Sequence, residues 1–187
     1  MELRGIDLAL VPSDSLAFAA REGLIPNIDS KVDYIVKLAN LDIHVVAGST
    51  ITSLADLAGK RIAIGSATRI SYEASQMLIG FLKLGVTVVP LNSDDAIAAV
   101  KTGAADAAIM VGVSPLPEIS RLEAADGLHL VPIVPQPEMS GVYAPSLLTA
   151  KHYPNLLNGA SSVETVSSSL VIAAVRCISC ARPCSSR

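Results

Sequence analysis

Tryptophan is missing from the chain, and two phenylalanines and four tyrosines bring aromatics to only 3% of its 187 residues. Nucleic-acid bases therefore find few rings on which to stack. A positive surplus is missing too: 14 Lys and Arg stand against 17 Asp and Glu, a net charge of -3, so no basic stripe follows a phosphate backbone. No nucleic-acid partner is expected. Cysteine is confined to Cys177, Cys180 and Cys184 near the end of the chain, which leaves no internal disulfide to staple the body. No apolar run reaches the roughly 20 residues that a spanning helix needs. Residues 1–7 lack the charged and then apolar pattern of a secretory signal, so no signal peptide is read in this chain. Nucleophile elbows, phosphate-cradling loops and His-Glu-x-x-His helices are missing as well, which leaves hydrolase and kinase readings without support. What the chain has in quantity is apolar surface: 51% of residues are hydrophobic, and the mean hydropathy is +0.52. That is enough for one sizeable core or two small lobes.

Periodicity and punctuation give alternating strands and helices, the pattern of an α/β fold with a mostly parallel sheet. Residues 6–11 form an apolar run of strand length, followed by Ser13, Asp14 and Ser15 as a capping cluster and a short helix closing at Gly23. Residues 32–38 and 41–47 read as two β-branched strands, and residues 52–59 as a capped single turn ending at Gly59. The clearest stretch comes next. Residues 61–65 are a strand, residues 66–71 a polar turn, and Ile70, Ala74, Met77, Leu78 and Phe81 fall on one helical face. A strand over 86–91, a helix capped by the Asn92 cluster and running to about Thr102, and a strand over 105–111 complete a βαβαβ half-domain. A helical pattern to about residue 125, an apolar strand over 128–134 and a Pro-rich loop over 132–145 follow.

Residues 4–11 and 101–111 echo each other, each with a glycine and a nearby aspartate entering an apolar strand, as two lobes of similar build would. The segments in collinear order are Gly5-Ile6-Asp7 with Ser13-Asp14, then Asp56-Leu57 with Gly59-Lys60-Arg61-Ile62-Ala63-Ile64-Gly65, then Gly103-Ala104-Ala105-Asp106-Ala107, and finally Val163-Glu164-Thr165-Val166. Together they resemble the TAXI-family receptors of TRAP transporters. The Asp-Leu-x-Gly-Lys-x-Ile-x-Ile-Gly pattern is widespread among type II binding proteins; its pairing with a distant Val-Glu-Thr-Val is more selective. The resemblance implies a two-lobe type II periplasmic binding fold whose first lobe is incomplete here. Residues 1–50 would be a remnant of lobe one, 51–127 lobe two, 128–175 a return segment and 176–187 a divergent, disordered tail, as a truncated or frameshifted reading frame would leave. It further implies a periplasmic or extracytoplasmic, non-catalytic monomer that binds a small acidic solute, an amino acid such as glutamate or a related dicarboxylate, and hands it to TRAP membrane subunits. No cofactor is implied.

In such a fold the carboxyl ends of strands and the N-termini of the following helices face the cleft, where free N–H groups and the helix dipole favour an anion. Gly65, Ser66, Thr68, Arg69 and Ser71 make the best candidate: the glycine admits a ligand to the backbone, the hydroxyls donate, and Arg69 adds a bidentate cation. The resemblance puts the family's ligand contact in this turn. The plainer alternative is that the hydroxyls only cap the helix. Asp14 is placed to accept from an amino group or to act as a cap, and Asn92 and Gly112 sit at strand ends as lining or as structure. Tyr72 and Tyr143 read as a lid or as packing. His44, His129 and His152 read as core or surface residues, only His44 having an acid, Asp42, near it, and the three tail cysteines lack a fourth ligand, so no metal site is expected. Hinges are expected near residues 47–53 and 131–137. The rival readings are a metabolic transferase or dehydratase, which needs a catalytic partner for Asp14, and a ligand-sensing domain, which needs a helix-turn-helix.

Overall fold

Two long strands organise the molecule. The computed structural model describes residues 8–65 and 69–176. In it β2 runs without a break from Val32 to Gly48 and β8 from Ser162 to Val175. Around them lie β1 (Leu8–Pro12), α1 (Ser13–Arg21), α2 (Ile28–Lys31), β3 (Arg61–Gly65), α3 (Arg69–Leu82), β4 (Thr87–Leu91), α4 (Ser93–Lys101), β5 (Ala107–Gly112), α5 (Pro117–Ser120), β6 (Leu128–Leu130) and β7 (Ala144–Thr149). The α/β class expected from the sequence is the observed one, but the sheet is mixed and mostly antiparallel rather than mostly parallel. All eight strands join one sheet in the order β1-β8-β2-β5-β3-β4, with β6 also on β2 and β7 also on β8. The three strands β3, β4 and β5 pair in parallel, and every other pairing is antiparallel.

The larger part of the sheet is β4, β3, β5 and the second half of β2, and strict alternation sends its side chains to two cores. Ile43, Val45, Ile62, Ile64 and Ile109 meet Ala74, Met77 and Leu78 of α3 on one face. Val46, Ala63, Ala108 and Met110 meet Ala96, Ile97 and Val100 of α4 on the other. Each fully buried aliphatic side chain stabilises by about 1.5–3 kcal/mol, so these two layers hold the larger part together. The smaller part is β1, the second half of β8 and the first half of β2, with α1 and α2 against it. Its β2 stretch is exposed from Asp33 to Leu38.

Several sequence expectations change. The two strands expected over 32–47 are one, because residues 32–42 keep pairing with β8 through two register shifts, at Ile35 and Leu38, instead of turning. The strand expected over 128–134 holds only Leu128–Leu130, and the helical pattern to residue 125 holds only α5 and a 3-10 turn at Ala124–Asp126. The Pro-rich passage contains a 3-10 turn at Pro137–Met139 and the start of β7. Ser167, Ser168 and Ser169 lie inside β8, where pairing with β2 supplies the strand that serine propensity alone does not. The chain crosses between the two parts of the sheet at one level. There Asp42 faces both Gly112 of β5 and Ser167 of β8. Of the segments expected as hinges, 131–137 is bonded to the sheet through Val131 and Ile133, whose N–H groups donate to the Val45 and Glu164 carbonyls. The tail cysteines and residues 1–7 lie outside the described residues.

Candidate functional site

Strand register brings the candidate residues to one end of the larger sheet. Gly65 pairs with Leu91, one residue before Asn92, and Gly112 ends the neighbouring β5, so all three stand at the carboxyl ends of the parallel strands. Gly112 faces Asp42, Asp42 faces Ser167, and the Ser169 N–H donates to Ser13 Oγ at 3.0 Å, which ties the start of α1 to the same level. Asp14 therefore arrives at this junction from the smaller part while α3 begins at it from the larger.

The geometry separates structural from unspent groups. A Cβ on Gly65 would lie 3.3 Å from Ser93 Oγ and 3.5 Å from Met110 Cγ, so the first turn of α4 already packs against this glycine. At Gly112 a Cβ would meet Leu116 Cδ2 at 2.7 Å. Ser71 is buried, accepts at 3.3 Å from the Val111 N–H and thereby ties α3 to β5. Asn92 caps α4: its Oδ1 accepts from the Asp95 N–H at 2.9 Å and its Nδ2 donates to Asp95 Oδ2 at 2.5 Å. Arg69 opens α3, and Ser66 and Thr68 lie outside the described residues. Tyr72 is exposed, whereas Tyr143 is buried and packed.

Asp14 is different. It sits in the first turn of α1 at 1% exposure. The Tyr143 hydroxyl lies within donating distance of both Asp14 Oδ2 (3.4 Å) and the Ala74 carbonyl of α3 (3.3 Å), so this tyrosine stitches the two parts together. Asp14 Oδ1 and the neighbouring Ser168 Oγ make no well-aligned hydrogen bond, although the Ser168 hydroxyl lies close enough to act on the carboxyl. Burial pushes the Asp14 carboxyl above the usual carboxylate range, against the opposing pull of Ser168, backbone N–H groups and Tyr143. Burial and the Asp14 charge likewise raise the Tyr143 phenol. An unpaired buried carboxylate oxygen costs free energy, and a ligand ammonium or hydroxyl would satisfy it. A separate hollow of about 320 Å3 opens between α1 and α3, lined by Phe18, Arg21, Tyr72 and Gln76 among others but not by Asp14 or Tyr143.

Sequence reasoning missed a second polar cluster at the same level. Asp42, buried inside β2, accepts from Ser114 Oγ at 2.6 Å and Ser146 Oγ at 2.8 Å. His44, two residues on, is fully buried, with Nδ1 3.1 Å from the Asp42 carbonyl and Nε2 2.8 Å from the Tyr153 hydroxyl and 3.2 Å from Ser114 Oγ. Tyr153 in turn accepts from the Leu116 N–H at 2.8 Å. Burial lowers His44 to about 4, against the opposing charge of Asp42. Both imidazole nitrogens are occupied within the fold, and the carboxylate that would orient a catalytic histidine is occupied by two serines. The cluster fixes the 113–116 loop and β7 to β2. Its only sequence signal is an acid and a histidine interrupting an apolar strand. Among the described residues no group of three or more His, Cys, Asp or Glu is arranged to hold a metal ion, and no helix is long and apolar enough to cross a membrane.

A family model described as the NMT1-like family matches residues 3–174. The chain belongs to the NMT1-like family. Comparison with curated proteins gives no match. Among solved structures, this NMT1-like chain is similar to a mutant of the arginine-binding protein ArgBP from T. maritima, at 15% identity and TM-score 0.47 over 92% of this chain and 57% of that one. The L-cystine solute receptor of Neisseria gonorrhoeae, in its unliganded open conformation, matches at 15% identity and TM-score 0.41 over 81% and 50%. The amino acid ABC transporter substrate-binding protein AbpA from Streptococcus pneumoniae, bound to L-arginine, matches at 13% identity and TM-score 0.45 over 89% and 61%. The NMT1-like chain thus spans 57%, 50% and 61% of the length of these three proteins, all of them named as binding proteins or receptors. Neither these likenesses nor the family description names TRAP transport or the TAXI group.

Proposed function

We propose that the chain is the solute-binding part of an extracytoplasmic receptor of the TRAP type, non-catalytic, which holds a small amino acid such as glutamate at the junction of its two sheet parts. The observation that carries this reading is the buried Asp14 Oδ1, which makes no well-aligned hydrogen bond, beside Ser168 Oγ where α1 meets α3. An α-ammonium group would give the carboxylate its missing donor. The solute's own carboxylate would take the N-terminus of α3, a 14-residue helix opening at the end of β3, where free N–H groups and the dipole favour an anion. In this reading Gly65, Ser66, Thr68 and Arg69 form the carboxylate pocket, Asp14 selects for an amino group, and Ser71, Asn92 and Gly112 shape the surrounding backbone. The TAXI resemblance supports the transporter type and the extracytoplasmic location. A plain dicarboxylate lacks the donor that Asp14 requires, so glutamate is favoured over C4-dicarboxylates.

Thermal-shift screening of the folded protein against glutamate, glutamine, 2-oxoglutarate and C4-dicarboxylates tests this. Saturation at 100 times Kd stabilises by about 2.7 kcal/mol, a readable rise in Tm. Glutamate and glutamine should produce it and 2-oxoglutarate should not; no rise with any of them removes the receptor reading for this chain.

A further inference from the structure

The larger part of the sheet has a second end, away from the Asp14 junction. Gly48 closes β2 there beside Leu128 of β6, at the opposite end of the parallel strands from Gly65, Asn92 and Gly112. A hollow of about 490 Å3 opens at this end, within the roughly 300–1,000 Å3 of small-molecule sites. Ser49, Leu128, His129, Pro154, Asn155 and Asn158 are among the residues that line it. All of them are described, while Leu8 and Arg176 lie at the Val32 end of β2.

His129 is the unspent group. Pairing with Ala47 fixes its backbone in β6, and the residue is 7% exposed. Among the described residues its imidazole makes no hydrogen bond, and its nitrogens are not sealed from solvent, so they open on the hollow that the residue lines. His44 shows the contrast: it is as deeply buried, and both of its nitrogens are bonded within the fold. A buried polar group left without a partner costs free energy. A ligand that bonds to the His129 ring recovers it.

The character of the lining narrows the ligand. Among the described residues no lysine, arginine, aspartate or glutamate lines the hollow, so a charged solute meets no counter-charge. No phenylalanine or tyrosine lines it either, which leaves a planar aromatic ligand without a ring to stack on. What the hollow offers are groups that both donate and accept: the Ser49 hydroxyl, the Asn158 carboxamide, and an imidazole with one donor and one acceptor nitrogen in its neutral form. Asn155 spends its Nδ2 on the Leu122 carbonyl at 3.1 Å, and the Thr52 hydroxyl donates to Asp56 Oδ2 at 3.2 Å, so each keeps an acceptor. Sugar hydroxyls match such a set, since each donates and accepts at once, while Leu128 and Pro154 supply apolar surface for the C–H faces. We infer that this hollow binds an uncharged polyhydroxylated ligand, a mono- or disaccharide, with the His129 imidazole as its central contact. The site does not depend on what the Asp14 junction binds.

The chain has three histidines, so imidazole proton–carbon spectra of the full 187-residue protein report on His129 directly, with His129→Phe assigning its signal. Titration with glucose, maltose and sucrose should move that signal saturably for at least one sugar. Inorganic phosphate and glutamate should leave it in place. In calorimetry with the sugar that binds, His129→Phe, which fills the space and removes both nitrogens, should abolish binding. Asn158→Gly keeps the φ of 50° that glycine adopts freely and should raise the sugar Kd about tenfold. Asn158 is exposed, so far-UV circular dichroism of this variant should match wild type, and it decides the matter if His129→Phe does not fold. A His129 signal that no sugar moves, one that phosphate or glutamate moves as far as any sugar, or sugar affinity unchanged in Asn158→Gly would overturn the inference.

Discussion

Two buried ionisable side chains, His44 and Asp14, push the pH dependence of stability in opposite directions. His44 is held down to about 4 from 6.5 by burial, so the unfolded chain binds more protons than the folded one between those values. Its contribution is intact above pH 6.5 and is lost as pH falls to about 4, at most about 3 kcal/mol. Replacing it, His44→Gln, should flatten the fall in urea midpoint between pH 6.5 and 4.5; an unchanged slope would show that His44 is not its source. Asp14 carries the opposite sign. Its carboxyl is raised above 3.8 by burial, so the folded chain holds that proton more tightly, and the associated stability is present below 3.8 and lost as pH rises through the folded value. Asp14→Asn, uncharged and of the same shape, should therefore raise Tm at pH 7 by about 2–4 °C, the size of a ~1 kcal/mol change in a domain of this length. The gain should vanish below about pH 4, where both forms are neutral. A wild-type residue that costs stability is the pattern of a site kept for binding. The place of Asp14 between a strand and a helix was legible in the sequence, whereas its burial was not. Asp42 was not: nothing local shows that Ser114 and Ser146, 72 and 104 positions away, converge on it.

Elements differ in how far local chemistry decides them. The β3-α3-β4-α4-β5 stretch was legible nearly residue by residue, since its alternating strands, amphipathic helices and capping Asn92 all point the same way. The run β7 to β8 was not, because a serine triplet and scattered prolines become strand only by pairing with residues far along the chain. Asn92 also shows where element and site can be told apart. Its side chain both accepts from and donates to Asp95, so Asn92→Ala should cost about 1 kcal/mol of stability through loss of the cap. Glutamate affinity measured below the lowered Tm should stay at the wild-type value. A large loss of affinity with unchanged stability would move Asn92 from scaffold to ligand contact.

At the scale of the whole molecule, the two parts of the sheet share β2 and β8 and cross at Asp42 and Ser167. That single level gathers the ends of the parallel strands, the start of α1 and the start of α3. The α/β class was legible from periodicity, but the crossing was not, because it rests on two strands continuing where the sequence gives no sign that they do. Relative movement of the two parts would bend β2 and β8 at this level and part Asp14 from Tyr143. A ligand bridging Asp14 and the first turn of α3 would therefore hold the parts together.

Titration calorimetry of glutamate into the wild-type protein and into Asp14→Asn measures that bridge directly. Saturable binding to wild type that Asp14→Asn loses by tenfold or more, a deficit of about 1.4 kcal/mol, is the expected result, while the variant melts no lower than wild type. Equal affinity in the two proteins, or no heat of binding to folded wild type, would contradict the account.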